Sequence, residues 1–251
     1  MERWVIVLES PEEGDRAALD LATHIGDSFR ILRVGLGPHA TSRVGCLRVP
    51  VDRGTGPALL LAVFHTLARN ADASVVVIPA EVPLHRSHAL GEAIEAASRT
   101  PCHALSTVHI VAARPPILAA PERWLVPQHW SGGAWPLLHA VFPGTTPASD
   151  MIEAGALADT GVLVAHAWTL ASLLRECQYG WFQSLREAVA HPSTVDQVFT
   201  TLEPVDLFDD VLLPAIDRLR IVPARRRDAH PTFITPSGTA PIGGDIPEAL
   251  C

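Results

Sequence analysis

The sequence contains no lysine; all 19 of its basic residues are arginine. A GC-rich genome, which favours arginine codons, is the ordinary cause of such a bias. Whatever the cause, chemistry that requires a lysine ammonium is excluded. Clustered positive charge is scarce too. The net charge of -8 gives no electrostatic reason to expect nucleic acid or an anionic membrane as partner. The four cysteines, Cys46, Cys102, Cys177 and Cys251, are widely spaced and form no C-x-x-C pair. Nothing resembling a signal peptide precedes them, so reduced thiols in a cytoplasmic protein are the expectation. No apolar run approaches the roughly 20 residues that a membrane span needs. What is present is a chain of 251 residues, 48% hydrophobic and 18% charged, enough for one sizeable core. The reading is one domain over residues 1–235 and a Pro/Gly-rich tail over 236–251.

Short β-branched apolar runs mark strands buried on both faces. WVIVL (Trp4 to Leu8), FRILRVGL from Phe29, CLRVP from Cys46 and SVVVIP (Ser74 to Pro79) are of this kind. A helical pattern runs from Arg16 to Ile25. Another begins at Pro57, where ALLLAVFHTLARN repeats its apolar residues at three and four and Pro57 suits a first turn. Downstream, helices are predicted over Leu90 to Arg99, Thr146 to Ala156, Trp168 to Cys177 and Gly180 to Ala190. Strands are predicted over Cys102 to Ala113, from Trp124, from Leu137, over Thr160 to Ala165 and from Arg220. This order predicts an α/β fold with a mostly parallel, Rossmann-like sheet flanked by helices, whose ligands sit at the carboxyl ends of the strands.

VDRGTGPALLL, residues 51–61, sets two glycines, a threonine and a proline against an apolar run. It has the look of a loop delivering a ligand to a helix, or of glycines that merely turn the chain into that helix. It is not a Walker A loop, since no G-K-[ST] follows. His85 and His88, spaced i and i+3, and the triplet Arg225 to Arg227 read more simply as solvated surface than as a metal pair or an anion site.

Several segments resemble, in order, the sugar-1-phosphate nucleotidyltransferases of the mannose-1-phosphate guanylyltransferase type. VDRGTGPALLLAVFHTLARNADASVVVIPAEV is similar to that family's N-R-G-T-x-P, helix, D-P-D-A, strand, P-S-D-H. APERWLVP (Ala120 to Pro127), GALADTGVLVAHAWTLASLLRE (Gly155 to Glu176) and VDLFDDVLLPAIDRLRIVPAR (Val205 to Arg225) match further segments. The resemblance implies a nucleotidyltransferase-like fold. It also implies attack of a sugar phosphate on the α-phosphorus of a nucleoside triphosphate, served by backbone amides, an arginine, lysines and a magnesium ion.

The catalytic positions depart from that pattern. Where the family has G-G-x-G-T-R, this chain has Glu9-Ser10-Pro11-Glu12-Glu13-Gly14-Asp15-Arg16, which keeps only Gly14 and Arg16. Its four carboxylates are expected where the triphosphate docks, each repelling a phosphate charge by about 2 to 4 kcal/mol before screening. Glu81 stands at the family's metal aspartate, while the second acid is replaced within His230-Pro231-Thr232-Phe233-Ile234. The lysine motif falls on Val141-Phe142-Pro143. In the family the loop at Asp52, Arg53, Gly54 and Thr55 helps hold the nucleotide base. The resemblance thus implies a degenerate, non-catalytic binding or regulatory protein that takes a nucleotide or sugar nucleotide, as a homo-oligomer or beside an active relative. Two alternatives stand beside it: an altered, magnesium-dependent transferase using Glu81 and Arg16, and a structural subunit that binds no nucleotide.

Overall fold

The computed structural model describes residues 3–9, 15–25, 30–36, 45–80, 82, 87–99, 106–114, 123–128, 134–141, 148–153, 155–177 and 179–224. The proposed tail at 236–251 lies outside them. Nine strands and seven α-helices are described: β1 Arg3–Leu8, α1 Asp15–Ile25, β2 Ile31–Leu36, β3 Gly45–Val49, α2 Thr55–Leu67, β4 Ser74–Pro79, α3 Ser87–Ser98, β5 Val108–Ala113, β6 Trp124–Pro127, β7 Trp135–Val141, α4 Ala148–Glu153, β8 Leu157–His166, α5 Ala167–Cys177, α6 Tyr179–Ala190, α7 Val195–Thr201 and β9 Leu219–Ala224. A π-helical turn, Phe208–Leu212, and a 3₁₀ stretch, Leu213–Arg218, join α7 to β9.

The strands form one sheet in the order β3-β2-β1-β4-β8-β5-β9-β7-β6, with β8 also pairing β6. That last pairing closes β8, β5, β9, β7 and β6 into a five-strand ring, while β3, β2, β1 and β4 form an open parallel wing. The expectation of a mostly parallel, Rossmann-like sheet is corrected here. β4–β8, β5–β8, β6–β7, β6–β8 and β7–β9 are antiparallel, and outside the wing only β5–β9 is parallel. Apolar runs identify buried strands but carry no direction; direction is set by the connections between strands.

β8 joins the two regions because its halves have different partners. Leu157 and Ala158 pair with Leu125 and Trp124 of β6, whereas Leu163 to His166 pair with β4. Between them the chain bends at Gly161, which has φ 71°. A Cβ there would lie 2.8 Å from Pro79 Cγ, so the bend requires glycine for both conformation and space.

One face of the sheet carries α2, α5, α6, α7 and the π turn; the other carries α1 and α3. α2 is apolar around most of its circumference, with Leu59 to Phe64 all buried, because it lies between the sheet and the pair α5 and α6. The sequence places its start at Pro57, but the helix begins two residues earlier, at Thr55. The strand expected over Cys102 to Ala113 starts at Val108 among the described residues, and the helix expected over Thr146 to Ala156 is described only over Ala148–Glu153. Gly155, at φ 78°, ends that helix by sending its N–H to the Ile152 carbonyl at 3.0 Å.

Candidate functional site

The loop at 51–54 leaves β3 and enters α2 with Gly54 as its N-cap residue, at φ 80° and ψ -179°. Only glycine adopts that conformation readily. A Cβ on Gly54 would lie 2.6 Å from the Val205 carbonyl oxygen. The reason for the glycine is therefore the chain segment 199–207, which lies against the loop.

That segment engages the loop's polar groups one by one. Arg53 Nε and Nη2 donate to the carbonyls of Phe199 at 3.1 Å and Thr200 at 2.9 Å. The Val205 N–H donates to the Arg53 carbonyl at 3.1 Å, and the Gly56 N–H donates to the Val205 carbonyl at 3.2 Å. Thr55 Oγ1 accepts from the Leu207 N–H at 3.1 Å, and Asp52 Oδ1 accepts from the Gly54 N–H at 2.8 Å. Phe199, Leu202, Val205, Leu207 and Phe208 are buried in the core behind these bonds. At about 1.5 to 3 kcal/mol for each such side chain, the segment is anchored rather than loosely laid down.

Sequence reasoning did not find the cluster beside this joint. Arg123, just before β6, hydrogen-bonds through Nη1 to Asp159 Oδ2 at 3.2 Å; Asp159 is buried at the bend of β8. Its Nη2 lies 3.7 Å from Asp206 Oδ1 and its Nε 3.6 Å from Asp209 Oδ1. The guanidinium also covers the Phe208 ring at 4.2 Å, a cation–π arrangement. Asp206 Oδ1 accepts from the N–H groups of Phe208 and Asp209, both at 2.8 Å, and Asp210 Oδ2 accepts from the Asp206 N–H at 2.8 Å. These reciprocal bonds make the residues from 206 to 210 a capped turn. Asp209 titrates above the usual aspartate value because burial, then the charge of Asp206, disfavours its ionised form against the opposing pull of Arg123. The only signal in the sequence was the run DLFDD, and its partner Arg123 is more than eighty residues away.

The structure corrects one element of the acidic-loop expectation. Glu9 is not presented to the site; its carboxylate is paired with Arg33 Nε of β2, and the Glu9 side chain is 4% exposed. Its N–H continues the strand by donating to the Val34 carbonyl at 2.7 Å. Gly35 makes room, since a Cβ there would lie 2.6 Å from Glu9 Cβ. Asp15 and Arg16 lie in the first turn of α1, with their side chains outside the described residues. Glu12, Glu13, Gly14, Glu81, His85, Arg225 to Arg227 and the 230–234 segment are also outside them. His88 is exposed and lies 3.3 Å from Glu92, one turn along α3. Among the described residues no three of His, Cys, Asp or Glu are placed to hold a metal ion. Glu81, the carboxylate that the altered-transferase reading gives to magnesium, lies outside the described residues, and no chemical step is assigned to a metal. Among those residues no helix is long and apolar enough to cross a membrane.

No protein-family model matches the sequence, and no curated protein matches it. Solved structures do match. A mannose-1-phosphate geranyltransferase from Thermus thermophilus superposes with a TM-score of 0.72 at 20% identity, covering 90% of this chain and 75% of that one. A mannose-6-phosphate isomerase from Helicobacter pylori gives 0.65 at 12% identity, covering 90% and 99%. CMP:2-keto-3-deoxy-manno-octonic acid synthetase complexed with CTP gives 0.55 at 11% identity, covering 89% and 90%. At such identities the likeness is one of fold: this chain shares the α/β fold of these three proteins.

Proposed function

We propose that this chain is a degenerate sugar-phosphate nucleotidyltransferase-like protein that works by binding or regulation and not by nucleotidyl transfer. The observation that carries this reading is the joint at 52–56. The side chains of Asp52, Arg53 and Thr55, and the N–H groups of Gly54 and Gly56, are all hydrogen-bonded within the chain. A nucleotide base could use the Arg53 Nε or the Gly56 N–H only by displacing bonds to the segment 199–207, whose Phe199 and Val205 are buried. The absence of lysine supports the same reading, because no ammonium is available to neutralise a phosphate.

The test is pyrophosphate release from GTP and mannose 1-phosphate with magnesium. The expected rate is the background without protein. A protein-dependent rate lost in Glu81→Ala would establish the altered transferase instead. The same reading has the chain acting through a protein surface, as a homo-oligomer or beside an active relative. An interface of standard size buries about 1,600 Å² in total, so association is expected in light scattering at micromolar concentration. A strict monomer that recovers no partner from native extract would leave ligand binding as the role, with GTP or a sugar nucleotide as the probe in calorimetry.

A further inference from the structure

We propose that the turn at 205–210 couples the loop entering α2 to the bend of β8, with Arg123 as the positioning residue that sets the coupling. One end of the turn holds the loop: Val205 exchanges backbone bonds with Arg53 and Gly56, and the Leu207 N–H is held by Thr55 Oγ1. The next residues hold the bend. Asp206 and Asp209 face the Arg123 guanidinium, whose Nη1 is bonded to Asp159 Oδ2. Asp159 in turn accepts from the Gly161 N–H through Oδ1 at 2.8 Å, so the same carboxylate that meets Arg123 also shapes the bend.

A displacement of the bend is therefore transmitted through Asp159, Arg123 and Asp206 to the backbone that holds Gly56. The loop's bonds to the rest of the chain run to residues 199–207, so an effect of Arg123 on the loop travels through the turn. This coupling is internal to the chain and does not depend on nucleotide binding.

Charge decides which member of the cluster transmits. Arg123 faces Asp159, Asp206 and Asp209, and Asp210 is adjacent. Asp209 is the strained member: its ionised form is disfavoured by burial and by Asp206 and Asp210, and Arg123 opposes this. Asp206, whose carboxylate both faces Arg123 and accepts the N–H groups of the turn, is therefore the member that transmits.

The experiment is amide hydrogen exchange followed residue by residue in the intact protein. Arg123→Gln is expected to speed exchange at Gly56 and Val205 by at least about threefold, within the span for members of one connected network. Val5 and Val7, in the buried β1, should change by a smaller factor than Gly56 and Val205. If Arg123→Gln does not fold, Asp206→Asn serves, because asparagine keeps the cap and loses the charge facing Arg123. In that case Thr55→Val and Asp206→Asn should be non-additive at Val205, by at least about threefold. Unchanged exchange at Gly56, a parallel rise at every amide or an additive cycle would each overturn the proposal.

Discussion

At the scale of single residues, two glycines show how differently the same residue is used. Gly54 sits in a backbone region that other residues occupy only with strain of about 1 to 3 kcal/mol. Its missing Cβ leaves the space that the Val205 carbonyl fills. Gly54→Ala is therefore expected to destabilise the fold by at least about 2 kcal/mol, read as a lower urea midpoint. Gly180, in the exposed first turns of α6, has nothing within 4 Å of the place a Cβ would take. Gly180→Ala should stabilise by a few tenths to about 1 kcal/mol through helix propensity alone. If both substitutions shift the midpoint equally, the Val205 contact is not what requires glycine at position 54. The sequence shows the glycine at 54 but not its reason, because that reason is a carbonyl about 150 residues further along the chain.

At the scale of elements, the Glu9–Arg33 pair ties the end of β1 to β2 where a phosphate loop was expected to open. The Glu9 side chain is 4% and Arg33 18% exposed, so this is a buried pair. Removing one partner of such a pair costs about 3 to 5 kcal/mol, whereas replacing both costs much less. Arg33→Met should accordingly lower stability by more than the double variant Glu9→Gln, Arg33→Met. Urea midpoints of the two proteins decide it, and equal losses would show that the pair is a surface contact. Most element positions were legible from local pattern: β4 and β6 begin and end as read, and α2 starts two residues before the reading and ends three before it, at Leu67. α7 and the turns up to Arg218 were not, since EPVDLFDDVLLPAIDR follows neither a helical nor a strand period. The residues between 202 and 218 are held instead by caps, a π turn and a 3₁₀ stretch. The closed ring was likewise invisible, since it depends on the pairing of β8 with β6 and no local run specifies that.

At the scale of the whole molecule, stability against acid is set by groups on different layers, and their windows can be separated. Burial, helped by Arg69, lowers the His65 imidazole from 6.5 to about 4; burial, then Arg220, lowers that of His109 as well. A histidine with a depressed folded pKa takes up a proton when the chain unfolds. Its stabilisation is full above about 6.5 and is lost as pH falls toward the folded value. Glu95 of α3 is held below 4.5 first by its hydrogen bond from Arg3, which also caps the Ile25 carbonyl of α1. That contribution is present above 4.5 and is lost only at lower pH, as the carboxylate protonates. The protein is therefore expected to lose stability in two stages, the first between pH 6.5 and 4 from the histidines and the second below 4.5 from the pair linking α1, β1 and α3. Asp209 acts in the opposite direction, because its raised pKa favours the protonated folded state, so Asp209→Asn should raise the urea midpoint at neutral pH. His65→Leu should flatten the first stage without removing it, since His109 remains, and Glu95→Gln should diminish only the second. Urea midpoints measured across pH 7.5 to 3.5 provide the comparison. A first stage unchanged in His65→Leu would mean that the imidazole in α2 is solvated, and that the packing of α2 against α5 and α6 is looser there than the fold requires.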